Sequence, residues 1–196
     1  MRNTLFSSLA VIALTCGIHG IAQAGDPTVD AIRAQALPTI EKLAASPDVI
    51  SAIKAQNQST DGYDDSRITA LDQQWRTETA ATSKPLIDAV VKHPLTDHLH
   101  SFQQEGAGLF SEIIVMDIKG LNVALSDVTS DYWQGDEAKW QKTAGTGHDE
   151  HFIDEVEFDE SSQTFQSQVS VSVIDPDTGA AIGAITVGVG AREGGD

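Results

Sequence analysis

The densest concentration of residues able to do chemistry is the run Asp127-Val128-Thr129-Ser130-Asp131-Tyr132-Trp133-Gln134-Gly135-Asp136-Glu137-Ala138-Lys139-Trp140-Gln141-Lys142, which holds two of the three tryptophans and one of the two tyrosines. Aromatic faces beside carboxylates can line a pocket, the rings enclosing an apolar body and an Asp or Glu holding an amine. The same rings can instead be the loop's own small core, with Trp140 on a short helix from Asp136. The residues alone leave both readings open. Arg76 and Lys142 are scarce cations. A guanidinium can clamp a ligand carboxylate, or it can simply pair with a neighbouring acid.

Other candidate chemistry is weaker. His148-Asp149-Glu150-His151 is the most metal-like cluster and His98-x-His100 the next, with His93 apart. Neither spacing is that of a zinc motif, and no HExxH is present. These histidines are expected to be solvated or capping, with no metal and no cofactor. Asp154, Glu155 and Glu157 crowd together. On a strand, alternation would turn Asp154 and Glu155 to opposite faces, against a general acid–base pair. There is no Gly-x-Ser-x-Gly elbow and no phosphate loop. The expectation is a non-enzyme.

The elements that must position these residues begin after a leader. Residues 1–24 carry Arg2, an apolar run from 5 to 21, and Ala22-Gln23-Ala24 before Gly25-Asp26. That is the layout of a secretory signal peptide, so a soluble periplasmic protein is expected. Cys16 is the sole cysteine and would leave with the leader. Its acylation, giving a lipoprotein, is the rival reading. The 196 residues carry a net charge of −17. Losing Arg2 leaves eleven basic residues against 29 acidic ones, a charge of −18 for the exported chain. Such a surface repels nucleic-acid backbones and anionic membranes.

The period changes near residue 108. Val29, Ile32, Ala36, Ile40 and Leu43 form a helical stripe, which Pro38 should kink. Ser46-Pro47-Asp48 restarts a helix as cap, first position and first-turn acid. Residues 57–66 read as a loop. Further helices carry Ile68, Leu71 and Trp75, then Leu86 and Val90, then Leu95, Leu99 and Phe102. Period two follows: a hairpin of 113–118 with 121–125 turning at Gly120, a strand over 152–158, and a strand from Phe165 with Val169, Val171 and Val173 on its dry face. A turn at Asp175-Pro176-Asp177-Thr178-Gly179 leads to a last strand over 182–189, where Gly183, Ala184 and Gly188 leave room for a close approach. This predicts five strands in meander-like order behind a helical half, one domain over 25–196 with helices at about 27–105 and sheet at about 110–190. Between the second and third strands lies a loop of roughly 25 residues, far longer than usual.

Met116-Asp117-x-x-Gly120-x-Asn122-Val123-Ala124-x-Ser126, the Thr129-Ser130-Asp131-Tyr132-Trp133-x-Gly135-Asp136-Glu137-x-Lys139-Trp140 run, Val173-x-Asp175-Pro176-x-Thr178-Gly179 and Asp72-x-x-Trp75-Arg76 together resemble the extracytoplasmic Cache (PDC) sensor family. The resemblance implies an α+β fold, an N-terminal helical layer on a curved antiparallel five-stranded PAS-like sheet, with a ligand pocket between the sheet and the loop after its second strand. Asp131, Tyr132, Trp133, Asp136 and Trp140 are then the candidate ligand-binding residues, with Arg76 as an outside member. The implied partner is a small metabolite, neutral, zwitterionic or cationic given the charge, passed to a membrane receptor or histidine kinase. The alternatives are a ligand-free protein-interaction module or a metal-binding protein.

Overall fold

The computed structural model describes residues 27–159 and 164–190. The leader read at 1–24 lies outside them, as does Cys16.

Five helices come first: α1 (Pro27–Ala44), α2 (Pro47–Thr60), α3 (Asp65–Thr79), α4 (Pro85–Val91) and α5 (Leu95–Glu105). Two of them begin at a side-chain cap. Ser46 caps α2 by accepting from the Val49 N–H with Pro47 just inside, and Asp64 caps α3 by accepting from the Arg67 N–H. Pro38 lies inside α1, which runs as one element. The predicted loop over 57–66 shrinks to 61–64. Polar residues there do not break α2, because the Ser59 and Thr60 hydroxyls donate back to the carbonyls of Ala55 and Gln56.

The sheet comprises β1 (Phe110–Asp117), β2 (Asn122–Leu125), β3 (His151–Ile153), β4 (Glu157–Asp159), β5 (Thr164–Ile174) and β6 (Ala181–Gly190). Its order is β2-β1-β6-β5-β3, with β4 also on β5, all neighbours antiparallel. The expected meander is therefore corrected: β1 pairs with β6, from Phe110↔Val189 to Asp117↔Gly183. The strand expected over 152–158 is two strands. Ile153 pairs with Val169 and Glu157 with Gln166, so the partner has too few residues for Asp154 to Val156 and the edge bulges. The room left by Gly183 and Gly188 is taken by β1, since a Cβ there would strike the Met116 carbonyl or the Ser111 hydroxyl.

Both faces are covered. Ile113, Val115, Val171, Val173, Ile185 and Val187 meet α1, α2 and α5 in one apolar cluster. Ile114 and Met116 face the other way, into a second cluster with Ile68, Leu71 and Trp75 of α3 and Ile87 and Val90 of α4. The face of β5 expected to be wet is not: Ser170, Ser172 and Thr186 are buried, and the Ser170 and Thr186 hydroxyls bond each other at 2.8 Å. What covers that side is the β2–β3 connection, residues 126–150. It must cross from one sheet edge to the other, because β2 and β3 are opposite ends of the order. On the way it forms α6 (Ala138–Gln141) and a 3-10 turn at Ala144–Thr146.

Candidate functional site

The crossing connection is pinned by the β1–β2 turn. Asp117, fully buried, accepts at Oδ1 from the N–H groups of Lys119 and Leu121 at 2.8 and 2.9 Å, and at Oδ2 from Thr60 Oγ1 at 2.9 Å. Burial nonetheless pushes its carboxyl above the usual aspartate range, against the pull of those donors. Gly120 takes φ +80, and a Cβ on it would sit 2.6 Å from the backbone of Gly135. The connection thus lies directly on the turn, which only a glycine pair allows. Both tryptophans of the connection hook onto the same turn. Trp133 Nε1 donates to the Lys119 carbonyl at 2.8 Å and Trp140 Nε1 to the Asp117 carbonyl at 3.2 Å.

The α3 side holds the other flank. Asp72 Oδ1 accepts from the N–H groups of Tyr132 and Trp133 at 2.9 and 3.1 Å. Arg76 pairs with Asp72 at 2.8 Å and Asp131 at 3.1 Å, so this scarce cation makes an ordinary ion-pair bridge between helix and loop. Tyr132 is buried and stacks on Trp75 with centroids 5.5 Å apart, while Trp75 Nε1 donates to the Thr129 carbonyl at 2.8 Å. Burial raises the Tyr132 phenol far above its ordinary value, so it stays neutral. Arg76, Asp131, Tyr132 and Trp133 therefore converge around Asp72. Trp140 is brought against Asp117 instead, and Asp136 is exposed. Lys142 lies 4.0 Å from the centroid of the Phe152 ring, a cation–π contact where an ion pair was expected.

Beneath this layer lies Asn122, whose side chain is fully buried. Its Nδ2 donates to Thr129 Oγ1 and to the Asp131 carbonyl, both at 2.9 Å. Its Oδ1 has no hydrogen-bond partner. The opposite amide orientation would set Oδ1 against the Asp131 carbonyl, two acceptors together, so the orphan is the oxygen. Gln56 and Thr60 also enter the network, Gln56 Nε2 donating to the Asn122 carbonyl at 3.0 Å. Neither was singled out from sequence, since nothing local in α2 points at a turn some sixty residues on.

Three concavities are lined by other residues. A groove of about 900 Å³ lies beneath the α1–α2 elbow at the β3 edge, one of about 500 Å³ holds Glu112, Asp154, Glu155 and Glu157, and one of about 450 Å³ lies between α2 and α5 with Asp48, His93 and His98. Asp154 and Glu155 thus line one groove, because the bulge breaks the alternation expected to separate them. The histidines are dispersed. His151 accepts from Arg33 at 2.6 Å, His98 meets Asp48 at 3.3 Å, His100 meets the Ser126 carbonyl at 2.9 Å, and His148 is exposed.

Several solved structures similar to this chain are sensor or ligand-binding domains. The E. coli DcuS sensor domain is 17% identical with a TM-score of 0.45, over 84% of this chain and 92% of that one. The V. cholerae histidine kinase DctB sensor domain is 14% identical with a TM-score of 0.38, over 83% of this chain. The ligand-binding domain of the Pseudomonas aeruginosa PAO1 amino-acid chemoreceptor PctC in complex with GABA is 12% identical with a TM-score of 0.38, over 79% of this chain. The chain spans 53% of that DctB domain's length and 59% of the PctC domain's. No family model matches the chain, and no curated protein does. Among the described residues, no helix is long and apolar enough to cross a membrane.

Proposed function

We propose that this chain is a Cache (PDC) type sensor domain, exported to the periplasm, that binds a small metabolite between its sheet and the 126–150 connection and presents it to a receptor or kinase. The observation that carries the reading is the orphan Asn122 Oδ1, a buried acceptor beneath the aromatic, acid-bearing loop. Such an atom calls for a donor, and an amine or ammonium supplies one while matching a chain of net charge −17. The recognised ligand is accordingly neutral, zwitterionic or cationic. Asp131, Tyr132, Trp133, Asp136 and Trp140 form the pocket wall and lid, with Arg76 fixing Asp131. No chemical step is assigned to any residue.

The test is a thermal-shift screen of the purified protein against amino acids, amines and organic acids. A ligand at a hundred times its Kd stabilises by about 2.7 kcal/mol, a shift of roughly 5–10 °C for a domain of this size. An amine-bearing compound is expected to give such a shift, lost in Trp133→Ala and Asp136→Ala proteins that still fold. Stabilisation by no compound, with both variants folding normally, overturns the reading. A second reading, an interaction module without a small ligand, is favoured by one observation: the three described grooves are not lined by the aromatic run.

A further inference from the structure

From Thr143 to Ala191 the chain contains no lysine or arginine, yet it carries Asp149, Glu150, Asp154, Glu155, Glu157 and Asp159 in close succession. The fold places this acidic run on an edge. β3 ends the strand order, with β5 on one side and no strand on the other among the described residues. The Ser172 N–H donates to the Glu150 carbonyl and the Asp154 N–H to the Gln168 carbonyl, so the even-numbered residues of this stretch bond to β5. By alternation the backbone groups of His151 and Ile153 point outward. An outward row of N–H and C=O groups is a template for an added strand.

Two concavities flank that edge. The groove of about 900 Å³ has a floor rich in apolar residues, among them Ala44, Ala45, Ile50 and Ile174, and a rim with Glu41 and Glu150. The groove of about 500 Å³, at the β4 end, holds the carboxylates of Glu112, Asp154, Glu155 and Glu157. Side chains of an added strand alternate between faces, so one set would meet an apolar floor and the other an acidic cleft. The cations nearest the edge each have a partner already: Lys54, on the wall of the larger groove, pairs with Asp175 and Asp177 at 2.7 and 3.2 Å, Arg33 donates to the His151 ring, and Lys142 lies over the Phe152 ring. A second copy of the chain would bring the same acids against themselves, which disfavours self-pairing at this edge.

We infer that the β3 edge docks an extended segment of a partner protein in which lysine or arginine alternates with aliphatic residues. The bound strand pairs with His151 and Ile153, its aliphatic side chains on the floor beneath the α1–α2 elbow and its cations in the carboxylate groove. This surface is separate from the proposed metabolite site and stands or falls without it.

The probe is a dye-labelled nonapeptide of alternating lysine and valine, titrated with the purified protein by fluorescence anisotropy. Its comparator alternates lysine and proline, with equal charge and no capacity to pair as a strand. The lysine–valine peptide is expected to bind at least tenfold more tightly. His151→Pro removes an outward N–H, Ala45→Trp fills the exposed groove floor, and Glu150→Lys reverses the rim; each is expected to weaken binding at least fivefold. Asp61→Lys makes the same charge change beyond the far end of α2, about 20 Å away by helix rise, and is expected to stay within twofold. Equal affinity for the two peptides, no measurable binding, or equal losses in Asp61→Lys and Glu150→Lys overturns the proposal, the first and last outcomes leaving only general electrostatic adsorption. A dimer that strengthens with salt and is broken by Ala45→Trp also overturns it, in favour of a second copy. Should His151→Pro fail to fold, the surface changes at Ala45 and Glu150 decide.

Discussion

On one face of the sheet, Ile113, Val115, Val171 and Ile185 meet Ile32, Ile40, Val49 and Ile53 of α1 and α2 in one apolar cluster. On the other face, Ser170 and Thr186 bond each other under a connection tied down by the Asp72 carboxylate and by two indole N–H groups that donate to the Lys119 and Asp117 carbonyls. The first face is held by area removed from water, which is non-directional and tolerates exchange of one aliphatic for another. The second is held by hydrogen bonds of fixed geometry, each of which leaves a buried orphan when a partner is lost. An attachment of the second kind specifies a single position yet is released by a few broken bonds.

The largest effect expected is at the anchor of the β1–β2 turn, on which the connection rests. Asp117→Ala orphans the N–H groups of Lys119 and Leu121, leaves Thr60 Oγ1 only the Gln56 carbonyl, and should cost on the order of 4 kcal/mol in urea denaturation. Ile113→Ala on the apolar face should cost about 3 kcal/mol, falling to about 1 for Ile113→Val, a graded response that no substitution at Asp117 will reproduce.

Next in size is an acid-range dependence. Glu78 is buried, which pushes its carboxyl up, but Gln74 Nε2 and the N–H groups of Ile87 and Leu86 outweigh burial and hold it below the ordinary glutamate range. Its folded value is thus depressed, so its contribution is complete above the unfolded value of about 4.3 and is lost as pH falls through the folded one. Glu78→Gln should flatten the acid limb of stability against pH while leaving the aromatic near-ultraviolet signal intact. Smaller still, the double change Ser170→Ala with Thr186→Val removes both partners together and should be near neutral, within about 1 kcal/mol, whereas Thr186→Val alone leaves an orphan hydroxyl and should cost more. Smallest is Arg76→Ala. Its guanidinium is half exposed, so its two ion pairs should contribute the least of these to stability, weakening further in salt.

What was legible in the sequence was local. Ser46-Pro47, the Gly120 turn and the Gly179 turn each write their backbone geometry into adjacent residues, and the structure has a capped helix start at the first and φ of +80 and +73 at the glycines. The aromatic run announced itself by composition. What was hidden required partners distant in the chain: the pairing of β1 with β6, the burial of Ser170 and Thr186, and the reach of Asp72 and Thr60 to residues 132 and 117. An alternating Val/Ser strand looks half-wet whether water or a crossing loop lies above it. The bulge after Ile153 was likewise invisible, since it is fixed by how many residues β5 offers opposite.

The strand order also sets a timetable. Among the described strands β6 comes last in the chain and joins the two halves, bonded to β1 on one side and β5 on the other. Until residues 181–190 emerge, β1–β2 and the β3–β5 region are separate pieces with open seams. Their contacts span some seventy positions and close slowly against loop entropy. A chain built this way holds its two halves apart until β6 is in place, so closure of the sheet waits on its most distant pairing.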